Sequence, residues 1–266
     1  MKAGRLYQAP TKEAPPRDIW FHASDTLFHS DILKNERFVL TLLEARPHPN
    51  IVEVVNTDHA EGIYLRKYRS EPRPQIQDVE LSSRIEWYQD ILRGLEHVHG
   101  LGIAHADLRW GNILFDSENH AIICDFSTAV PFSHRYPYPA GSPTLNAIDK
   151  TTSATTDLHA MGSLIYQMEH RGKPLSIVSR DGRLKFQIGD DTLDQIVHDA
   201  WHGVFHSAQQ MLDRISTYSE QRTPCHAVER THKSILRDRV ERWREARQMK
   251  FGPFVESRMT LNVLLI

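Results

Sequence analysis

One spacing constrains this chain more than any other feature. Residues 105–116 read HADLRWGNILFD, and after a short polar turn the chain continues AIICDF to Phe126. Asp107 and Asn112 stand five apart, and Asp125 follows thirteen residues after Asn112. AIICDF is almost wholly apolar, so it predicts a short buried strand that delivers Asp125 to its end. Two carboxylates and an amide at neighbouring loop ends form a site for a divalent cation and a phosphate, because hard oxygen ligands suit magnesium, and one carboxylate remains as a base. Taken singly, Asp107 reads as a turn or cap residue and Asn112 as an Asx-turn. The spacing carries the argument.

Composition narrows the rest. A chain of 266 residues, 40% hydrophobic and 25% charged, can bury the core of one large domain or of two lobes. With 32 basic against 34 acidic residues it shows no global bias toward nucleic acid or an anionic membrane. Two cysteines, Cys124 and Cys225, give neither a disulfide scaffold nor a CxxC zinc pair and point to a reducing compartment. The opening MKAGRLYQAPTKEAPPRD is polar and proline-rich, unlike a signal peptide, and no apolar run approaches about eighteen residues. These features lead us to expect a cytoplasmic or nuclear protein with no membrane or nucleic-acid partner. The sixteen histidines are scattered, and His97 and His99 in EHVHG are too close to share a helical face. They read as solvated or helix-end residues rather than metal ligands.

The order of elements follows from periodicity and breakers. Pro10, Pro15 and Pro16 predict a loop to about Asp31, and SDILKNERFVLTLLEA predicts a helix capped by Ser30 or Asp31, with Ile32, Leu33, Phe38, Leu42 and Leu43 on its apolar side. Strands are expected at 51–55 and in GIYLRKY, followed by a proline-broken connector, EPRPQIQDVE, as the boundary between lobes. Helical spacing then places Ile85, Tyr88, Leu92, Leu95 and Val98 on one side of a helix that Gly100 or Gly102 ends. Residues 127–156, rich in Ser, Thr, Pro and Tyr and without periodicity, read as a long loop that is either functional or disordered. Leu158, Met161, Leu164, Ile165 and Met168 mark a buried helix, and two helices in TLDQIVHDAWHGVFHSAQQMLDRI and a charged one in SILRDRVERWREARQM complete the chain.

His105, Asp107, Asn112 and the pair Asp125-Phe126 resemble the H-x-D-x-x-x-x-N catalytic loop and the D-F-G element of eukaryotic protein kinases. NERFVLTLLEARPHPNIV resembles that family's C-helix and the H-P-N-I-V turn after it. TTDLHAMGSLIYQM resembles its buried F-helix, and DAWHGVFHSAQQML its H-helix region. The resemblance covers roughly residues 30–215, the combination is far more specific than a lone short motif, and it implies a divergent, fungal-like serine/threonine kinase shortened at its N-terminus. It implies ATP and Mg2+ as cofactors and a protein hydroxyl as acceptor. Asp107 becomes the base and Arg109, in the slot usually held by lysine, the group that neutralises the transferring phosphate. Asn112 and Asp125 become magnesium ligands, Glu36 the C-helix acid, Lys2 the candidate for the strand-three lysine, and Asp157 the brace beneath the catalytic loop.

The chain also departs from the family pattern. No G-x-G-x-x-G precedes Glu36, Ala106 stands where the family has the arginine of H-R-D, Ser127 stands where it has the glycine of D-F-G, and Asp149 is the nearest match to the A-P-E acid. The expected architecture is therefore an α+β, protein-kinase-like bilobal fold. Residues 1–69 form a partial N-lobe lacking the glycine-rich strand pair, and residues 70–266 form a mostly helical C-lobe. The expected function is a monomeric serine/threonine kinase. A pseudokinase that binds partners without turnover is the alternative, and a small-molecule phosphotransferase of the aminoglycoside type is a second.

Overall fold

The computed structural model describes residues 14–59, 62–68, 78–134, 151–170, 192–218 and 231–251. These divide into two compact units, each described by itself. The first unit contains α1 (Pro16–Ala45), β1 (Val54–Asn56), β2 (Tyr64–Leu65) and the last helix of the chain. The loop expected up to Asp31 is instead the first half of α1: Pro15 is its N-cap and Pro16 sits in its first turn. Proline is tolerated there because the N–H it lacks has no intrahelical partner anyway, and its fixed φ suits a helix. The pair opens the helix rather than breaking one.

The buried side of α1 is Glu36, Val39, Leu40 and Leu43. Phe38 and Leu42, expected on the inner side, are 59% and 39% exposed. At 3.6 residues per turn, positions 36, 39 and 43 share a side and position 38 lies nearly opposite 36. β1 and β2 pair antiparallel, Val54 with Leu65 and Asn56 with Tyr64. The strand expected at 51–55 begins three residues late in this unit, since Ile51 belongs to the second unit and makes an isolated parallel bridge to Ile123 there. The final helix, Lys233–Phe251, which the sequence reading grouped with residues 70–266, packs here on the two strands. Leu236, Val240 and Trp243 meet Val55 and Tyr64, and Lys233 and Arg237 both pair with Glu44 at 2.5 and 2.8 Å.

The second unit starts with His48–Ile51 and resumes after the first unit's strands. Its organising element is α2 (Leu81–Gly100), which buries Ile85, Tyr88, Leu92, Leu95 and Val98 as the periodicity requires. Gly102, at φ 72°, turns the chain in the left-handed region just past the helix. β3 (Ile103–Ala104) pairs antiparallel with β6 (Val130–Pro131), and β4 (Ile113–Phe115) forms a hairpin with β5 (Ala121–Ile123). α3 (Ala154–Glu169) packs against α4 (Thr192–Trp201), while α5 (Ala208–Ser216) and β5 pack against α2. With the last helix, Lys233–Phe251, as α6, the described residues form a mostly helical α+β structure whose strands are all short.

Three polar anchors tie this unit together. Arg84 clasps both carboxylate oxygens of Glu169 at 2.8 and 2.7 Å and so joins α2 to α3. The buried Asp90 accepts from the Ala121 N–H and pairs with His120, both at 3.1 Å, and holds the start of β5 on α2. Asn50 donates to the Ala121 carbonyl at 3.0 Å and accepts from the Ile123 N–H at 2.9 Å, while the His48 ring accepts the Asn50 N–H at 3.2 Å. The H-P-N turn is thus stitched to the strand that leads to Asp125. Gly94 permits this approach: a Cβ there would fall 2.8 Å from Ile123 Cδ1 and 3.1 Å from the Asn50 carbonyl.

Two histidines make stability pH-dependent. Burial, reinforced by the charges of His97 and Arg93, lowers His48 to about 4. Burial, reinforced by His202, does the same to His159. Because both folded values lie below the unfolded value of about 6.5, the unfolded chain takes up protons first as the solution is acidified. Stability should be flat above about pH 7 and fall steadily from about pH 6.5 to about pH 4. Urea denaturation across that range is the measurement, and His159→Phe should reduce the acid slope by roughly one proton.

Candidate active site

α3 supplies the floor of the site. Its N-cap is Ser153, whose N–H donates to Thr156 Oγ1 at 3.1 Å, so the start of the helix does not need Asp157. The Asp157 side chain, fully buried, turns instead toward the loop after β3. It accepts the N–H of His105 at 2.8 Å and of Ala106 at 2.9 Å, and it pairs with His99 Nε2 at 2.8 Å. Burial alone would raise its pKa, but the His99 bond, the positive potential of both rings and the Ala106 N–H together hold it below the ordinary carboxylate value.

These bonds fix an unusual backbone. Ala106 sits at φ 61°, a left-handed conformation that a residue with a Cβ adopts only under constraint. The bend aims the next residue, Asp107, out of the core. Its Oδ2 accepts from Asn112 Nδ2 at 3.0 Å and from Arg109 Nε at 3.1 Å, and its carbonyl accepts from the same Asn112 amide at 2.8 Å. Asn112 closes the loop through its NH2 group, so the amide oxygen is the atom it would offer a cation. Arg109 is the exposed member of the trio and folds back over the turn, where a Cβ on Gly111 would lie 2.8 Å from its Nη1.

The hairpin brings Asp125 alongside. Ile113 pairs with Ile123, and the Cys124 N–H donates to the Asn112 carbonyl at 2.9 Å, so the residue after Cys124 emerges beside Asn112. Asp125 takes the second left-handed turn, at φ 64°, and its Oδ1 accepts the Ser127 hydroxyl at 2.7 Å. Asp125 thus stands two residues past the end of β5, not at its end. Phe126 is fully buried with its ring edge-on to His105, the centroids 4.9 Å apart, and His105 Nε2 lies 3.1 Å from the Cys124 carbonyl.

Asp107, Arg109, Asn112 and Asp125 therefore lie on one loop and in the turn just past the adjoining strand β5 of the second unit. Glu36 belongs to the first unit, where it is buried in α1. Lys2 and Asp149 lie outside the described residues. No cluster of three or more His, Cys, Asp or Glu side chains among the described residues is arranged to hold a metal. A cation at Asn112 and Asp125 would need further oxygens from phosphate and water, which is how magnesium is commonly held. The donor set fits that ion. Sequence reasoning missed two participants. His99 is buried against Asp157 rather than solvated; its position eleven, seven and four residues after Tyr88, Leu92 and Leu95 placed it on the apolar side of α2. Ser127 not only replaces a glycine but ties down Asp125, which no spacing reveals.

The family model of the protein kinase domain matches residues 29–230. The chain belongs to the protein kinase family. Similar kinases include Protein kinase gsk3 of Schizosaccharomyces pombe, 29% identical over 119 residues that make up 37% of this chain and 30% of that protein. Protein kinase MCK1 of Saccharomyces cerevisiae is 28% identical over 116 residues, 37% of this chain and 31% of its own. The human 3-phosphoinositide-dependent protein kinase 1 is 35% identical over 89 residues, 30% of this chain and 16% of its own. The matches thus span less than a third of each of these curated kinases.

Replacing Asp157 in this kinase domain strands two buried N–H groups and the His99 ring, whereas loss of a helix cap costs about 1 kcal/mol. Asp157→Ala should therefore cost about 3–5 kcal/mol in chemical denaturation. A loss near 1 kcal/mol would assign the residue a mere capping role.

Proposed function

We propose that this chain is an ATP-dependent protein serine/threonine kinase whose chemistry is carried by Asp107, Arg109, Asn112 and Asp125. The observation that supports this most is the grip of the Asn112 amide on both the carboxylate and the carbonyl of Asp107, with Asp125 emerging beside Asn112. An acceptor hydroxyl that reaches Asp107 finds a carboxylate held in one orientation, ready to take its proton as oxygen attacks phosphorus and the bond to the departing diphosphate breaks. Arg109, exposed and pre-placed at Asp107, supplies positive charge where the transferring group would gather negative charge. Asn112 and Asp125 offer two oxygens to a magnesium ion. Bound Mg-ATP would supply the activated phosphoryl group.

In the same reading α1 is the C-helix and Glu36 its acid. Residues 1–69 then belong to an upper lobe that lacks a glycine-rich strand pair within this sequence, and Lys2 is its candidate phosphate-binding lysine. A pseudokinase is the second reading, and one observation favours it: both carboxylates are already engaged by the chain's own side chains, Asp107 by Arg109 and Asp125 by Ser127.

Single-turnover phosphorylation of a generic basic protein, with calorimetric titration of ATP, separates the readings. Asp107→Asn should lower the rate by at least about a hundredfold with nucleotide affinity retained. Asp125→Ala should abolish the magnesium-dependent part of binding. Residual activity of Asp107→Asn within a few-fold of the parent would remove Asp107 as the base. Binding without any turnover in the parent would select the pseudokinase.

A further inference from the structure

Helix α1 has two apolar sides, and only one of them is used by its own unit. Seven of its large apolar residues are exposed: Ile19, Trp20, Phe21, Leu27, Phe28, Phe38 and Leu42, with Trp20 at 65% and Leu27 at 66%. A lone exposed leucine needs no explanation, but at about 100° per residue Trp20, Leu27 and Phe38 fall on one line along the helix with Leu42 close beside it, while Ile19, Phe21 and Phe28 lie to either side, and such an aligned set marks an interaction surface. The exposed positions 20, 24, 27, 31, 34, 38, 41 and 45 alternate steps of four and three, the seam spacing of a coiled coil. The seam is about 38 Å long.

Charge argues against a lipid surface as the occupant. Residues 16–45 carry three basic groups, Arg17, Lys34 and Arg37, against five acidic ones, Asp18, Asp25, Asp31, Glu36 and Glu44. Helices that lie on anionic membranes carry the opposite balance. The seam is instead complementary to itself when run antiparallel about a two-fold axis midway between Asp31 and Lys34. In that register Asp31 of one copy meets Lys34 of the other, Leu27 meets Phe38, Ser24 meets Thr41, and the large Trp20 meets the small Ala45. Beside the seam, Ala23 meets Leu42. Asp31 and Lys34 are each about three-quarters exposed and hold only each other, so both can exchange into such a contact.

We propose that α1 is a homodimerisation helix, pairing antiparallel with α1 of a second copy of this chain in this register. A two-fold contact is self-complementary by construction, so each matched pair occurs twice in the interface. The proposal does not depend on kinase activity, and it replaces the monomer expected from the sequence.

Sedimentation velocity of the full chain over a wide concentration range should show a reversible monomer–dimer equilibrium. Leu27→Glu combined with Phe38→Glu should leave only monomer with the circular dichroism spectrum of the parent, since both side chains are exposed. Asp31→Lys alone and Lys34→Asp alone should each loosen the dimer roughly tenfold, because each sets two like-charge pairs face to face. The combined charge exchange should restore it. Monomer at every concentration overturns the proposal, and so does a dimer whose affinity ignores the charge reversals or is not rescued by their combination.

Discussion

The loop from His105 to Asn112 depends on one buried carboxylate. Asp157 is fully enclosed, yet it stays ionised because two main-chain N–H groups and His99 converge on it. A charge in such a place is tolerable only while every partner is present. The same bonds keep Ala106 in its left-handed turn, and that turn delivers Asp107 to the surface. The geometry of Asp107 at the surface thus rests on order in the interior, with α3 as the support beneath the loop.

A second line of support runs from α2 through β5. Asp90, Asn50 and the close passage at Gly94 hold β5 against the helix, and the hairpin carries that rigidity to Asn112 and Asp125. The two lines meet at His105, whose N–H donates to Asp157 below and whose ring reaches the Cys124 carbonyl. Asp107, Asn112 and Asp125 come from the loop and the hairpin, and both elements are held in place by bonds from α2 and α3.

The sequence was legible where a residue's role follows from its neighbours in the chain. α2 and α3 were readable from apolar spacing, since each buries one face along its whole length. The loop at 105–112 and the acid at 125 were readable from their steps. Legibility failed at the start of α1, where prolines that open a helix look the same as prolines that prevent one, and where exposed aromatics blur the periodicity. The inner face of α1 was misjudged for the same reason, with Phe38 and Leu42 taken for core. His99 and His97 are too close to share a helical face, yet the register of His99 with Leu92 and Leu95 turns its ring inward to Asp157. The bond from Ser127 to Asp125 joins residues two apart through a turn whose shape depends on the rest of the fold.

The hairpin between Asn112 and Asp125 has a consequence for length variation. Only three residue pairs join its strands, and successive side chains on a strand face opposite ways. A natural variant that lost one residue inside either strand would retain nearly all of its composition and most of its core, yet would present one of its two oxygen donors to the wrong side. Loss of two would restore the facing while shortening the reach. Among related genes, insertions and deletions in this short interval are therefore more telling than substitutions: an odd change in length turns Asn112 or Asp125 to the wrong side without altering either residue.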